Sequence, residues 1–216
     1  MELKGKIINF LGDSITEGAS ASALDKTYWG VLEKKWELRT ANCYGIGGTR
    51  IAKQIVPSEN ERFDKWFASR VDEMDENADA VVIFGGTNDY GHGDAPLGRF
   101  SDRTPETFYG ACHDLYQRVI NKFPGKPIVI MTPIHRRTET DIHIKGTDQT
   151  VLKTYVDIIK EVAEYYSLPV CDMYSISGLQ PKVDIINEKF FADGLHPNDA
   201  GHAIIGERLG NFLSNL

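Results

Sequence analysis

Cysteine is scarce. The 216-residue chain has three, Cys43, Cys112 and Cys171, widely spaced and without a C-x-x-C pair. That excludes a disulfide framework and the usual zinc-ligand spacings. The thiols then read as small buried hydrophobes in a reducing compartment. Long apolar runs are missing too, and no window nears the roughly 18 residues needed to cross a bilayer. Met1 to Lys6 holds no apolar stretch leading to a small-residue cleavage site, so a cytoplasmic protein with no membrane partner is expected. Positive charge is in deficit. Lys and Arg number 24 against 31 Asp and Glu, a net charge of −7, which is a poor field for nucleic acid. Repeats, low-complexity tracts and linkers are absent.

What remains is ordinary globular material, 41% hydrophobic and 25% charged. At about 150 residues per domain, the length favours a single domain over residues 1–216, large enough to fold without a covalent or metal staple. Ile7 to Leu11, Ala80 to Phe84 and Pro127 to Met131 are short apolar runs that read as buried strands. Thr40 to Tyr44 and Leu168 to Cys171 are weaker strand candidates. Between them lie stripes at helical spacing: Trp29, Leu32 and Trp36; Phe63, Trp66 and Phe67; Phe108, Cys112, Leu115 and Val119; Val151, Tyr155, Ile158, Val162 and Tyr166; and Ile205, Leu209 and Phe212. Strands alternating with helices, and apolar throughout rather than on one side, imply helices on both faces of a parallel sheet. The expected fold is α/β: a three-layer α/β/α sandwich, flavodoxin-like, with a doubly wound parallel sheet of about five strands. Ligands of such folds sit beyond the carboxyl ends of the strands, so the residues following each strand carry the interest.

Gly12-Asp13-Ser14-Ile15-Thr16-Glu17 follows the first strand. Ser14 with Glu17 three residues later fits a capping box; equally, a serine on a tight turn points its hydroxyl at the mouth of the sheet, where a helix N-terminus favours developing negative charge. The two roles are compatible. Asn42 to Thr49 follows the second strand with glycines at 45, 47 and 48. Position 50 is Arg, so the dinucleotide fingerprint G-x-G-x-x-G fails, but glycines let a main-chain N–H approach a ligand closely. Gly85-Gly86-Thr87-Asn88-Asp89 follows the third strand and offers a neutral carboxamide donor. Near the C-terminus, Asp193 stands three residues before His196, within reach of one imidazole nitrogen if the segment turns. Asn198 is placed to cap the last helix.

These segments resemble the SGNH (GDSL-type) esterases and acyl hydrolases. Gly12-Asp13-Ser14-Ile15 resembles the first family block, with Ile in place of Leu; Asn42 to Gly47 resembles the second, Gly86 to Asp89 the third, and Asp193-x-x-His196 the fifth. The resemblance runs in order from residue 7 to 202. It implies Ser14 as nucleophile, His196 as base and Asp193 as its partner. It also implies an oxyanion hole of the Ser14 N–H, the Gly47 N–H and the Asn88 side chain, with neither metal nor cofactor. Gly48 is adjacent to Gly47, and the latter fits the spacing from Asn42 better.

Two segments are expected to rim the site, His92 to Thr104 and Thr132 to Arg137. Asp13, Gly48, His135 and Arg136 are candidates for touching substrate. Arg99, Arg103, Arg136 and Arg137 would form a basic edge, though surface solvation is the plainer reading. The rim lacks an apolar run for a fatty tail, so a short-chain or O-acetyl ester, for example of a sugar, is the expected small-molecule partner. A thioesterase or lysophospholipase-like acylhydrolase would use the same site, and homo-oligomerisation is left open. Two other classes compete. A metal-dependent phosphoesterase would draw on Asp13, Asn88, Asp89, His92 and His196, but no G-N-H-[DE] or D-x-H motif occurs. A non-catalytic ligand-binding domain would rest on Gly45 to Gly48, and would have no need of Ser14, Asn88, Asp193 and His196 together.

Overall fold

The apolar runs do become strands. In a computed structural model describing residues 1–216, β1 (Ile7–Gly12) passes through one turn of helix, α1 (Ser14–Glu17), to α2 (Tyr28–Lys35) and β2 (Thr40–Gly45). β3 (Ala80–Phe84) leads to α3 (Thr87–Gly91), α4 (Phe108–Lys122) and β4 (Ile128–Met131). A hairpin, β5 (His143–Lys145) and β6 (Asp148–Thr150), precedes α5 (Leu152–Tyr165) and β7 (Val170–Cys171). The chain closes with α6 (Met173–Ile176), α7 (Asp184–Phe190) and α8 (Asp199–Ser214).

The main sheet has five strands in the order β2-β1-β3-β4-β7, and every pairing is parallel. This is the flavodoxin-like order, which reverses direction between β1 and β3. Gly12 and Phe84 are partners across that reversal, so the chain leaving β1 and the chain leaving β3 open one crevice.

Successive strand residues face opposite sides, and both sides are covered. Leu11, Val81, Ile83, Ile128 and Ile130 join a core with α4 and α5, while Ile8, Phe10, Val82, Val129 and Met131 join a second core with α2 and α8. Burying each such side chain stabilises the fold by about 1.5–3 kcal/mol. Helices α2 and α8 approach closely because a Cβ at Gly206 would lie 2.6 Å from the Tyr28 carbonyl oxygen, and one at Gly210 only 2.5 Å from the Trp36 ring. No helix is long and apolar enough to cross a membrane.

Three details differ from expectation. The stripe Phe63, Trp66, Phe67 forms no α-helix; it lies in two 3-10 segments, Glu61–Asp64 and Phe67–Glu73. The Asp64 carboxylate, which accepts from the Ser58 N–H and hydroxyl and pairs with Arg50, fixes the chain there in place of a helical ladder. The β5–β6 hairpin escapes a search for apolar alternation because Ile144 faces solvent, and its one sequence signal is Gly146, at φ +63° in the turn. Cys112 and Cys171 are buried as expected, but Cys43 is exposed.

Candidate active site

The turn after β1 admits no side chain at its first position: a Cβ on Gly12 would lie 2.0 Å from Thr16 Oγ1 and 2.9 Å from the Phe84 carbonyl oxygen. The cap of α1 is Asp13, whose Oδ1 accepts the Ile15 N–H at 3.0 Å. This corrects the capping-box expectation. Ser14 is the first residue inside the helix, and Glu17 does not return to the cap. Its carboxylate instead accepts the Gly47 N–H at 2.7 Å and pairs with Arg62. Relieved of capping, the Ser14 hydroxyl bonds His196 Nε2 at 3.0 Å. Its own N–H is one of the first-turn donors that a helix leaves without an internal partner. Asp13 lies buried beneath this turn; burial pushes its carboxyl up to about 6, against the opposing pull of the Ile15 N–H and of His196.

His196 arrives from the far end of the chain on a turn between α7 and α8. Phe191 and Pro197 bridge the base of that turn, and Asn198 caps α8 through the Ala200 and Gly201 N–H groups. Asp193 Oδ1 accepts the N–H groups of Leu195 at 2.9 Å and His196 at 2.7 Å, while Oδ2 lies 2.7 Å from His196 Nδ1. A carboxylate only accepts, so Nδ1 carries the proton and Nε2 presents a lone pair to Ser14. Partial burial raises the Asp193 carboxyl, but the His196 N–H, the imidazole and the Leu195 N–H outweigh it and hold it below its ordinary value. The Arg137 N–H donates to Gly194 O at 2.8 Å and ties this turn to the chain leaving β4.

The glycine loop and the chain after β3 complete the surroundings. A Cβ on Gly47 would lie 3.6 Å from Ser14 Cβ, so this loop borders the serine. The two adjacent glycines are distinguished by their partners: the Gly47 N–H is taken by Glu17, whereas the Gly48 N–H meets no protein acceptor and that residue, at φ +75°, packs on Phe63. Asn88 is buried at the start of α3, with one amide hydrogen donated to Thr49 O at 2.9 Å and the second free. Its neighbour Asp89 accepts the N–H groups of Ile51 and Ala52 at 3.0 and 2.8 Å, and burial pushes its carboxyl up to about 6.

The rim candidates separate. Arg136 reaches back to the site, donating to Thr87 O at 3.1 Å with its guanidinium 5.3 Å from the Tyr90 ring. His135 points elsewhere, bonded to Glu139 at 2.6 Å and packed on Tyr174. Arg103 serves the aromatic cluster of Phe100 and Tyr165 rather than a common basic edge. The residues of the metal-dependent reading do not converge: Asp89 is committed to main-chain donors, His92 lies against Arg50 at 3.2 Å, and no group of three or more His, Cys, Asp or Glu side chains is placed to hold a metal ion. Glu17, Arg62 and Arg70 border or support the loop without having been singled out from the sequence; only the i+3 spacing of Glu17 from Ser14 drew notice, and for another role. A surface groove of about 670 Å³ adjoins the loop at Ile46 and Arg62, with Asn60, Lys65, Trp66 and Ser69 among its walls.

Comparison with known proteins agrees with this architecture. The family model of the GDSL-like Lipase/Acylhydrolase family matches residues 10–204. A GDSL lipase of Mycobacterium tuberculosis is 21% identical over 213 residues, covering 94% of this chain and 80% of that protein. Among solved structures, a Lactobacillus plantarum protein has a TM-score of 0.83 at 28% identity over 98% of each chain. A lipase/acylhydrolase of Enterococcus faecalis has a TM-score of 0.65 at 21% identity, over 97% of this chain and 96% of the other. With 195 consecutive positions (10 through 204) under the family model, the chain belongs to the GDSL-like lipase/acylhydrolase family.

Proposed function

We propose that the protein is a serine esterase that removes acetyl or other short acyl groups from polar alcohols through an acyl-enzyme. The observation that carries this reading is the unbroken chain Ser14 Oγ–His196 Nε2 at 3.0 Å and His196 Nδ1–Asp193 Oδ2 at 2.7 Å, at the crevice where the strand order reverses. His196 takes the Ser14 proton as Oγ attacks the ester carbonyl, and Asp193 stabilises the imidazolium. The proton passes to the leaving alcohol, and water, deprotonated by the same nitrogen, releases the acid and restores Ser14. The developing oxyanion is received by the Ser14 N–H and the free Asn88 amide hydrogen, and by the Gly47 N–H once the Glu17 carboxylate swings away from it. Asp13 and Arg136 shape the site from below and from the rim, and the Gly48 N–H, without a protein acceptor, is open to substrate beside it; His135, turned to Glu139, takes no part.

A short acyl group on a polar alcohol is favoured because six of the eight residues lining the groove beside the glycine loop are polar or charged, Asn60, Glu61, Arg62, Asp64, Lys65 and Ser69. Two measurements test the reading. A fluorophosphonate probe followed by mass mapping is expected to label Ser14, and labelling of any other residue would end the assignment. Nitrophenyl acetate is expected to be hydrolysed faster than the octanoate; a clear octanoate preference would replace the short-chain ester with a lipid-like substrate.

A further inference from the structure

The most deeply buried charge in the molecule belongs to no part of the mechanism above. Arg70, in the 3-10 segment Phe67–Glu73, is 1% exposed. No carboxylate pairs with its guanidinium, although nine lysine or arginine side chains pair with carboxylates elsewhere in the protein. Taking such a cation out of water without an anionic partner is costly, so its neighbours must recover the loss through hydrogen bonds.

The acceptors all lie behind the crevice. One terminal nitrogen donates to Gly12 O at 3.1 Å and to Tyr44 O; the other donates to Thr49 Oγ1 at 3.1 Å. The Phe67 ring, 4.8 Å from the guanidinium carbon, covers it, and that ring also fills the space where a Gly85 side chain would go. Each acceptor leads to an oxyanion group. Gly12 O immediately precedes the Asp13–Ser14 turn. Tyr44 O opens the glycine loop. The Thr49 hydroxyl donates to Ile46 O at 2.6 Å and closes that loop, while the Thr49 carbonyl holds the Asn88 amide at 2.9 Å. Lysine, with a compact ammonium, cannot span this fork of carbonyls and hydroxyl as a planar guanidinium does.

We propose that Arg70 is a positioning residue for the oxyanion site: one buried guanidinium holds the Ser14 turn, the glycine loop and the Asn88 anchor in register. The inference rests on the esterase reading given above. It also supplies a positive charge behind the developing oxyanion, in a setting that screens it weakly. Burial drags the guanidinium down to about 10, with Asp13 the strongest opposing influence, so it is charged throughout the range in which the protein would work.

The test uses the full chain and nitrophenyl acetate, with R70M, R70K and T49V. R70M is expected to lose about 100-fold in kcat, the scale of a lost oxyanion donor, with KM within about threefold, because the interaction matures only in the transition state. R70K recovers about tenfold of that loss, and T49V, which keeps the side-chain shape but cuts the link to the loop, loses about tenfold. A purely structural role would lower the folded fraction and leave kcat per folded molecule intact; that result for R70M overturns the proposal. If R70M does not fold, wild-type kcat in both R70K and T49V overturns it. Fluorophosphonate labelling separates the two levels. A wild type that labels at Ser14 beside an R70M that labels equally fast removes Arg70 alone, whereas a wild type that neither labels nor hydrolyses removes the esterase reading and this inference with it.

Discussion

Replacing Asp193 by Asn is expected to be worse than deleting the side chain, and the geometry says why. Asp193 serves three donors: two main-chain N–H groups at Oδ1 and the imidazole N–H at Oδ2. The carboxamide of D193N has one acceptor oxygen and one NH2 group. Turning the oxygen to the main chain keeps two bonds, each contributing about 1 kcal/mol, and turning it to the imidazole keeps one. The favoured orientation therefore aims NH2 at Nδ1. That nitrogen must then accept, the ring proton moves to Nε2, and the base facing Ser14 is lost while every heavy atom stays in place. The wrong tautomer costs about 10⁴ in kcat, or about 5.4 kcal/mol of barrier. D193A leaves the ring free to turn and to find a water partner, and is expected to lose less, about 10³-fold. Nitrophenyl acetate turnover, with circular dichroism to confirm the fold, decides the matter. A folded D193N that retains more than about a tenth of wild-type kcat, or one that outperforms D193A, would refute the tautomer argument.

Other outcomes follow from the same geometry. S14A is expected to abolish turnover while leaving the melting temperature nearly unchanged, because Asp13 rather than Ser14 caps α1; D13A should lose about 1 kcal/mol by urea unfolding. N88A removes a donor and the Thr49 anchor together and should lower kcat by about 10²–10³ with KM little changed, which steady-state kinetics would show. G45A places a Cβ 2.2 Å from the main-chain nitrogen of Glu17, which cannot yield, and is expected to cost about 3 kcal/mol or prevent folding. Asp89 is raised from 3.8 to about 6 in the folded state, so its contribution is full when it is protonated and is lost as pH climbs through that window. Urea unfolding of D89N across the window should show a flatter pH dependence than wild type, by at most about 3 kcal/mol; an unchanged slope would contradict the burial argument.

Much of the fold could be read directly from local composition. The runs at 7–11, 80–84 and 127–131 are mostly apolar, with β-branched residues in each, and they form strands where expected. The stripes at 108–119 and 151–166 form helices for the same reason, since a buried face repeats at the helical period. Local reading failed where a side chain found a distant partner. Ser14 and Glu17 have capping-box spacing, yet Asp13 caps and Glu17 reaches the glycine loop, a choice only the Gly47 N–H explains. Arg70 follows the stripe Phe63, Trp66 and Phe67 that reads as helical, and nothing near it in sequence announces that it turns inward.

Residue chemistry and the order of the short motifs were set by the sequence alone: a serine on a glycine turn, an amide after the third strand, an acid three residues before a histidine. Tertiary structure decided which of them meet. Ser14 and His196 stand 182 residues apart, and their contact exists because the sheet order β2-β1-β3-β4-β7 leaves Ser14 at the carboxyl edge after β1, while the packing of α8 on α2 and the Arg137–Gly194 bond bring the α7–α8 turn to that same edge. Main-chain pairing and the burial of both sheet faces impose that order. Both act between elements far apart along the chain, where no local pattern of residues records them.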